Sequence, residues 1–239
     1  MGGDGTVHEV VNGIAGADSV ELAVIHRGTG GDFVRTHGIP HKLEDAIDVA
    51  RTGVVRELDL GRATYRSWAG EEDSSYFANI GSAGMSGAIA RRANSTTKAL
   101  GGKASYAWAT VAVFARWHPG EMHVTVGTER RSAPMHDAIV AIGRYFGGGM
   151  KICPTAEPDD GLFDVLLLGV GTTRDLVLTL PKIYRGTHLP HPKMELLQGR
   201  EVGIDAPDHV PIQLDGEQPG TTPVRFEIVP NALKLRVPA

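Results

Sequence analysis

Glycine places the tightest limits on this chain. Of its 239 residues 31 are glycine, against an average usage of about 7%. They gather in runs: Gly2-Gly3-Asp4-Gly5, Gly28-Thr29-Gly30-Gly31 and Gly147-Gly148-Gly149. Without a β-carbon the backbone can pass close to a neighbour or a bulky ligand and can turn left-handed, so much of the chain is committed to turns and close approaches. Hydrophobic residues at 41% supply a core and exclude disordered and collagen-like classes. The length admits one large domain or two small ones.

The opening residues carry no signal-peptide pattern. The longest apolar run, Ala104–Trp117, contains Arg116 and falls short of the ~18 to 20 residues that span a bilayer; it reads as a core helix. A single cysteine, Cys153, excludes an internal disulfide framework and fits a reducing compartment. A net charge of −4 excludes a nucleic-acid binder driven by overall charge, so an anionic partner must meet local basic patches.

Over the first sixty residues helix and strand signals alternate. Val7, Val10, Val11 and Ile14 form the apolar stripe of a helix. Val20–Ile25 reads as a strand, Gly28–Asp32 as a glycine loop, and a short helix follows to His37. Leu43–Ala50 is another helix and Val54–Leu60 another strand. This alternation predicts a parallel, helix-covered sheet. From Arg62 the grammar changes to short strands divided by Gly and Pro turns, at Arg62–Ala69, Ser75–Ala83, Met122–Val126, Ala138–Ile142, Leu162–Leu168, Met194–Ile204, Val210–Leu214, Val224–Val229 and Leu233–Val237. Helices are expected at Met85–Ala93, Lys103–Trp117 and about Thr172–Tyr184. The later pattern suits a β-sandwich. The expected fold is thus an α/β nucleotide-binding domain over residues 1–62, followed by a mostly antiparallel β-sandwich over 63–239. No strand precedes Gly2, so the first domain is expected to be incomplete at its N-terminus.

Gly2-Gly3-Asp4-Gly5-Thr6 stands immediately before the first helix. Glycines let backbone approach an anion, and a helix start aims free N–H groups and a partial positive charge at it. Thr6 can cap the helix or bind a phosphate oxygen. Asp4 would repel phosphate unless a cation intervenes, which points to a Mg²⁺-nucleotide. Gly28–Asp32 repeats the logic with Thr29 and Asp32; helix capping accounts for each of these two residues equally well when taken alone. Asp159-Asp160-Gly161 is either a cation loop or a solvated turn. Leu214-Asp215-Gly216-Glu217 is either a hairpin turn or a strand end whose carboxylates, Asp215 and Glu217, take a hydroxyl proton. Arg91, Arg92, Lys98 and Lys103 form either a solvated face or a patch for anionic headgroups. His188 and His191, flanked by prolines, lack zinc-ligand spacing.

Taken in order, GGDGTVHEVVNGI (Gly2–Ile14), RGTGGDFVRTHGIP (Arg27–Pro40), YFANIGSAGM (Tyr76–Met85), LGGKASY (Leu100–Tyr106), GRYFGGGMKICPTAEPDDGLFDV (Gly143–Val165) and LDGE (Leu214–Glu217) resemble the bacterial diacylglycerol kinase and related lipid kinase family. The resemblance spans nearly the whole chain. It implies ATP and substrate in a cleft between the domains, and a final strand, Leu233–Val237, that returns to the first domain. It implies that Gly2, Gly3, Asp4, Gly5 and Thr6 cradle the ATP phosphates with Thr29 and Asp32. Glu217, with Asp215 in the same block, would take the proton from the lipid hydroxyl. Asp160, with carbonyls near Glu157 and Leu162, would hold a structural metal separate from the Mg²⁺ on ATP. Gly31 stands where the family carries Asn in its second loop. The family also begins with strands and helices ahead of GGDGT, so the chain resembles an N-terminally shortened member.

The implied partners are a diacylglycerol-like lipid, a membrane touched peripherally from the cytoplasm and a second copy of the chain, with no nucleic acid. The alternatives are an NAD kinase-like enzyme, for which no Asn-Glu motif is found, and an inactive nucleotide- or lipid-binding remnant.

Overall fold

The computed structural model describes residues 1–95, 108, 110–207 and 209–239. The LGGKASY block, Lys98 and Lys103 lie outside them, as does most of the first half of the helix expected at Lys103–Trp117.

Helix α1 (Asp4–Ile14) starts within the glycine motif and buries Val7 and Val11. Strand β1 (Glu21–Leu22) has only two residues, shorter than the expected Val20–Ile25, because its ladder with the C-terminal strand stops there. Gly2 makes a separate, isolated parallel bridge to His26. Helices α2 (Asp32–Thr36) and α3 (Leu43–Thr52) complete the first lobe.

Two long strands, β2 (Val54–Ser67) and β11 (Gly220–Val237), run antiparallel over almost their whole lengths. Each replaces two shorter strands of the sequence reading. The others are β3 (Glu72–Phe77), β4 (Ile80–Gly84), β5 (Gly120–Val126), β6 (Glu129–Ala141), β7 (Phe163–Gly169), β8 (Met194–Gly199), β9 (Glu201–Asp205) and β10 (Ile212–Leu214). Helix α4 (Met85–Ser95), a helical stretch α5 (110–114) and helix α6 (Thr173–Arg185) intervene. The main path through the sheet runs β10-β4-β6-β5-β9-β11-β2-β3, with β7 and β8 added beside β6. Apart from the β1–β11 ladder, the described strand pairs are antiparallel. The parallel sheet expected in the first sixty residues is therefore reduced to one short ladder.

Residues Leu233–Val237 of β11 pair with β1 and with the start of β2. Leu233, Leu235 and Val237 pack in one cluster with Val7, Val11, Phe33 and Leu58. The other half of β11 lies over the sandwich core, where Phe77 stacks on Phe163 and meets Phe226 edge-on. A third cluster seats α6, through Ile183, on Ile80, Ile139 and Leu166. The first two clusters thus both draw on β2 and β11.

Candidate active site

A cleft of about 440 Å³ gathers the glycine loops and the LDGE turn, although more than 180 residues separate them; Gly3–Thr6, Gly28–Gly30, Asp32, Asp215 and Glu217 all line it. Gly2 lies just behind, its N–H bonded to the Ile25 carbonyl and its own carbonyl to the Arg27 N–H.

The two loops touch backbone to backbone. A β-carbon on Gly28 would lie 2.8 Å from the Gly3 Cα. Helix α1 has Gly3 as N-cap and no side-chain cap, so Thr6 does not cap it and lines the cleft instead. The N–H groups of the first helical turn have no intrahelical acceptor and carry the positive end of the helix dipole. The Asp4 carboxylate accepts the N–H groups of Gly31, at 2.8 Å, and Phe33, at 3.2 Å, and so clips the first loop to the start of α2. Gly31 is left-handed, with φ of 74°, a conformation that Gly and Asn both tolerate. A β-carbon there would meet His41 and His26 at about 3 Å, which explains glycine where the resembled family has Asn.

Asp32 is buried. It accepts the Gly148 N–H at 2.8 Å and pairs with Arg35 at 2.8 Å. Burial, aided by repulsion from Asp4, pushes its carboxyl up to about 6 against the pull of Gly148 and Arg35. Thr29 is exposed on the cleft wall.

Asp215 and Gly216 both have positive φ, 51° and 97°, as the two-residue hairpin turn closed by Leu214 and Glu217 demands. The hairpin and the site readings of LDGE therefore describe the same turn. Asp215 accepts three backbone N–H groups, from Ala78 at 2.8 Å, Asn79 at 3.0 Å and Ile80 at 2.9 Å. These donors fall where the single strand expected at Ser75–Ala83 breaks into β3 and β4. Asp215 is thus the anchor of the turn. Glu217 differs: its side chain is exposed, accepts no hydrogen bond among the described residues, and its Oε1 lies 3.6 Å from where a β-carbon on Gly5 would stand. It is the free carboxylate facing the first glycine loop.

The predicted metal residues lie elsewhere and line no part of this cleft. Asp160 accepts the Leu162 N–H at 2.9 Å, and Glu157 faces Arg144 at 3.4 Å. Burial raises the Asp160 carboxyl, with Asp164, Asp59 and Glu157 adding repulsion. Asp159 is taken by a two-pronged bond from Arg56. Among the described residues no three His, Cys, Asp or Glu side chains form a metal-holding group, so a cation near Asp160 needs backbone carbonyls.

Several residues in or beside the cleft escaped the sequence reading. Arg27 supplies a guanidinium to the wall. Asn79 donates to the Tyr145 carbonyl and accepts from Thr36. His8, one helical turn beyond Asp4, has Nδ1 3.5 Å from Asp215 Oδ2. The spacing of Asp4 and His8 puts both on one helix face, a signal the sequence did contain.

Comparison with known proteins fits this geometry. The family profile described as diacylglycerol kinase catalytic domain matches residues 1–63. The profile described as YegS C-terminal NAD kinase beta sandwich-like domain matches residues 79–237. A diacylglycerol kinase of Mycobacterium tuberculosis (strain ATCC 25618 / H37Rv) is 28% identical over 242 residues, covering 99% of this chain and 75% of that protein. A Pseudomonas aeruginosa (strain UCBPP-PA14) protein named "Probable lipid kinase YegS-like" is 29% identical over 240 residues, with 100% and 75% covered. The crystal structure of a diacylglycerol kinase from Bacillus anthracis str. Sterne shares the fold, with a TM-score of 0.71, 20% identity and 98% and 74% of the two chains covered. Yeast NADH kinase complexed with NADH has a TM-score of 0.51 at 10% identity, with 98% and 58% covered. The chain belongs to the YegS and diacylglycerol kinase family of lipid kinases.

Proposed function

We propose that this chain transfers the γ-phosphoryl group of ATP to the free hydroxyl of diacylglycerol or a closely similar lipid. The observation that supports this most is Glu217, exposed and unbonded, opposite the Gly5 end of the glycine loops. In this reading the N–H groups opening α1 and the Gly28–Gly30 backbone hold the phosphates, with Arg27 beside them. The lipid oxygen bonds to the γ-phosphorus as the bond to the bridging oxygen breaks. ADP leaves with that electron pair, and the hydroxyl proton passes to Glu217. Most of the acceleration then comes from positioning and charge neutralisation.

Asp4, Asp32, Asp215 and Glu217 outnumber the two arginines near them, Arg27 on the cleft wall and Arg35 paired with Asp32, a balance that repels a bare triphosphate. Burial, with repulsion from Asp4, raises the Asp32 carboxyl. Hard oxygen donors of this kind suit Mg²⁺, which is commonly held by one or two carboxylates together with substrate phosphates. Asp4 and Asp32 would hold it, and the ion would neutralise phosphate charge.

The test is the full chain with labelled ATP and diacylglycerol mixed micelles, with NAD as acceptor in a parallel arm. Phosphatidate is expected. Glu217→Gln should lower kcat by about 10² to 10⁴ while ATP still binds in a calorimetric titration. Lipid phosphorylation no greater than that of Glu217→Gln overturns the reading. Turnover on NAD alone favours the NAD kinase-like alternative, and ATP binding without turnover favours the remnant.

A further inference from the structure

The LDGE turn and helix α1 come from opposite ends of the chain, yet Glu217 acts only if the two stay in register. Asp215 fixes the turn to the β3–β4 break. At its far end, α1 is fixed to β3 by Asn12, which both donates to and accepts from the Tyr76 backbone. Between these two locks lies His8. Its side chain is 12% exposed, and Nδ1 sits 3.5 Å from Asp215 Oδ2, an ion-pair distance. Nε2 faces the Asn12 amide at 3.5 Å.

We propose that His8 is the positioning residue of this site: its ring, set against Asp215, joins the first helix to the Asp215–Glu217 turn and so holds the Glu217 carboxylate in place opposite Gly5. This deepens the lipid-kinase reading and rests on it. The charged groups facing His8 are all acids: Asp215 and Glu217 on the turn, and Glu9 on its own helix; Asn12 is neutral. Burial lowers the ring's affinity for a proton, but Asp215, Glu217 and Glu9 outweigh it and hold the ring above its usual 6.5. The protonated ring therefore persists near neutrality and is lost as pH rises through that raised value. Replacing a histidine that merely filled space would leave any alkaline limb unchanged.

Two measurements on the full chain decide the proposal. The first follows the His8 ring nitrogens by NMR against pH. A midpoint above 6.5 that falls in Glu217→Gln supports the pairing; a midpoint at or below 6.5, or one indifferent to Glu217, overturns it. Glu217 is exposed, so this variant does not threaten folding. The second compares lipid phosphorylation by wild type and His8→Gln across pH. The expected result is a fall in kcat of about tenfold at pH 7, KM for ATP within about twofold, and disappearance of the wild-type alkaline limb. Rates within twofold of wild type at every pH, or an unchanged limb, overturn it. Should wild type prove inactive on lipid, the kinase reading falls, and the NMR midpoint still decides whether His8 and the turn are paired.

Discussion

Gly28 has no room for a side chain. A β-carbon there meets backbone, the Gly3 Cα at 2.8 Å, and backbone cannot swing aside as the end of a long side chain can. Gly28→Ala is therefore expected to cost roughly 1–3 kcal/mol in a thermal or denaturant unfolding experiment and to weaken ATP binding by separating the loops. Gly13, within helix α1 and with nothing within 4 Å, is the control: Gly13→Ala should stabilise by roughly 0.5–1 kcal/mol. Equal effects at both positions would show that the loops do not depend on contact. At this scale the glycine loops and LDGE were legible because their residues are neighbours in sequence. The role of Asp215 as anchor was not, because its three N–H donors lie 135 to 137 residues away.

Among the elements, the misread boundaries share one cause. Gly61, Pro223 and Pro230 each look like a strand break. Gly61 instead lies inside β2, where a β-carbon would overlap the Phe77 ring. The prolines sit at the two register shifts of β11, where a ladder bond is already missing. Local residue type does not say whether glycine turns a chain or admits a ring from the next strand. Helix α4 shows another long-range dependence. The Asp137 carboxylate on β6 accepts the Ser86 N–H at 2.6 Å and the Ser86 hydroxyl at 3.1 Å, and burial pushes it up to about 7 against those bonds. Between about pH 4 and 7 the folded chain thus binds more protons at this site than the unfolded chain, so the stability it contributes falls as pH rises. Asp137→Asn, which cannot ionise, should gain in melting temperature relative to wild type on going from pH 5 to pH 8. A difference that does not change with pH would refute the assignment.

For the whole molecule, the proposed function requires a chain of net charge −4 to reach a lipid. No helix among the described residues is long and apolar enough to cross a membrane. Trp68, at the tip of the β2–β3 hairpin, is 59% exposed, and its indole N–H is bonded to the Gln218 carbonyl one residue beyond Glu217. Arg91 and Arg92 are exposed on α4, a helix without acidic residues. An amphipathic ring and local cations beside the cleft suit a bilayer interface. Trp68→Ala is expected to reduce co-sedimentation with phosphatidylglycerol vesicles several-fold and to raise KM for lipid while leaving KM for ATP alone. Vesicle binding that ignores both this change and salt would count against that face. The change from alternating helices and strands to a mostly antiparallel sheet was readable from the pattern of residues; the shared long strands were not, because no local pattern encodes their pairing.

The pairing of Leu233–Val237 with β1 and β2 has a further consequence. The lobe that carries the glycine loops cannot close on neighbouring sequence alone, so a chain that stops short of Leu233 holds every glycine of those loops and still lacks the strand packed against their helix. Removing the residues after Asn231, none of which lines the cleft, should therefore abolish ATP binding as completely as damage to the cradle itself.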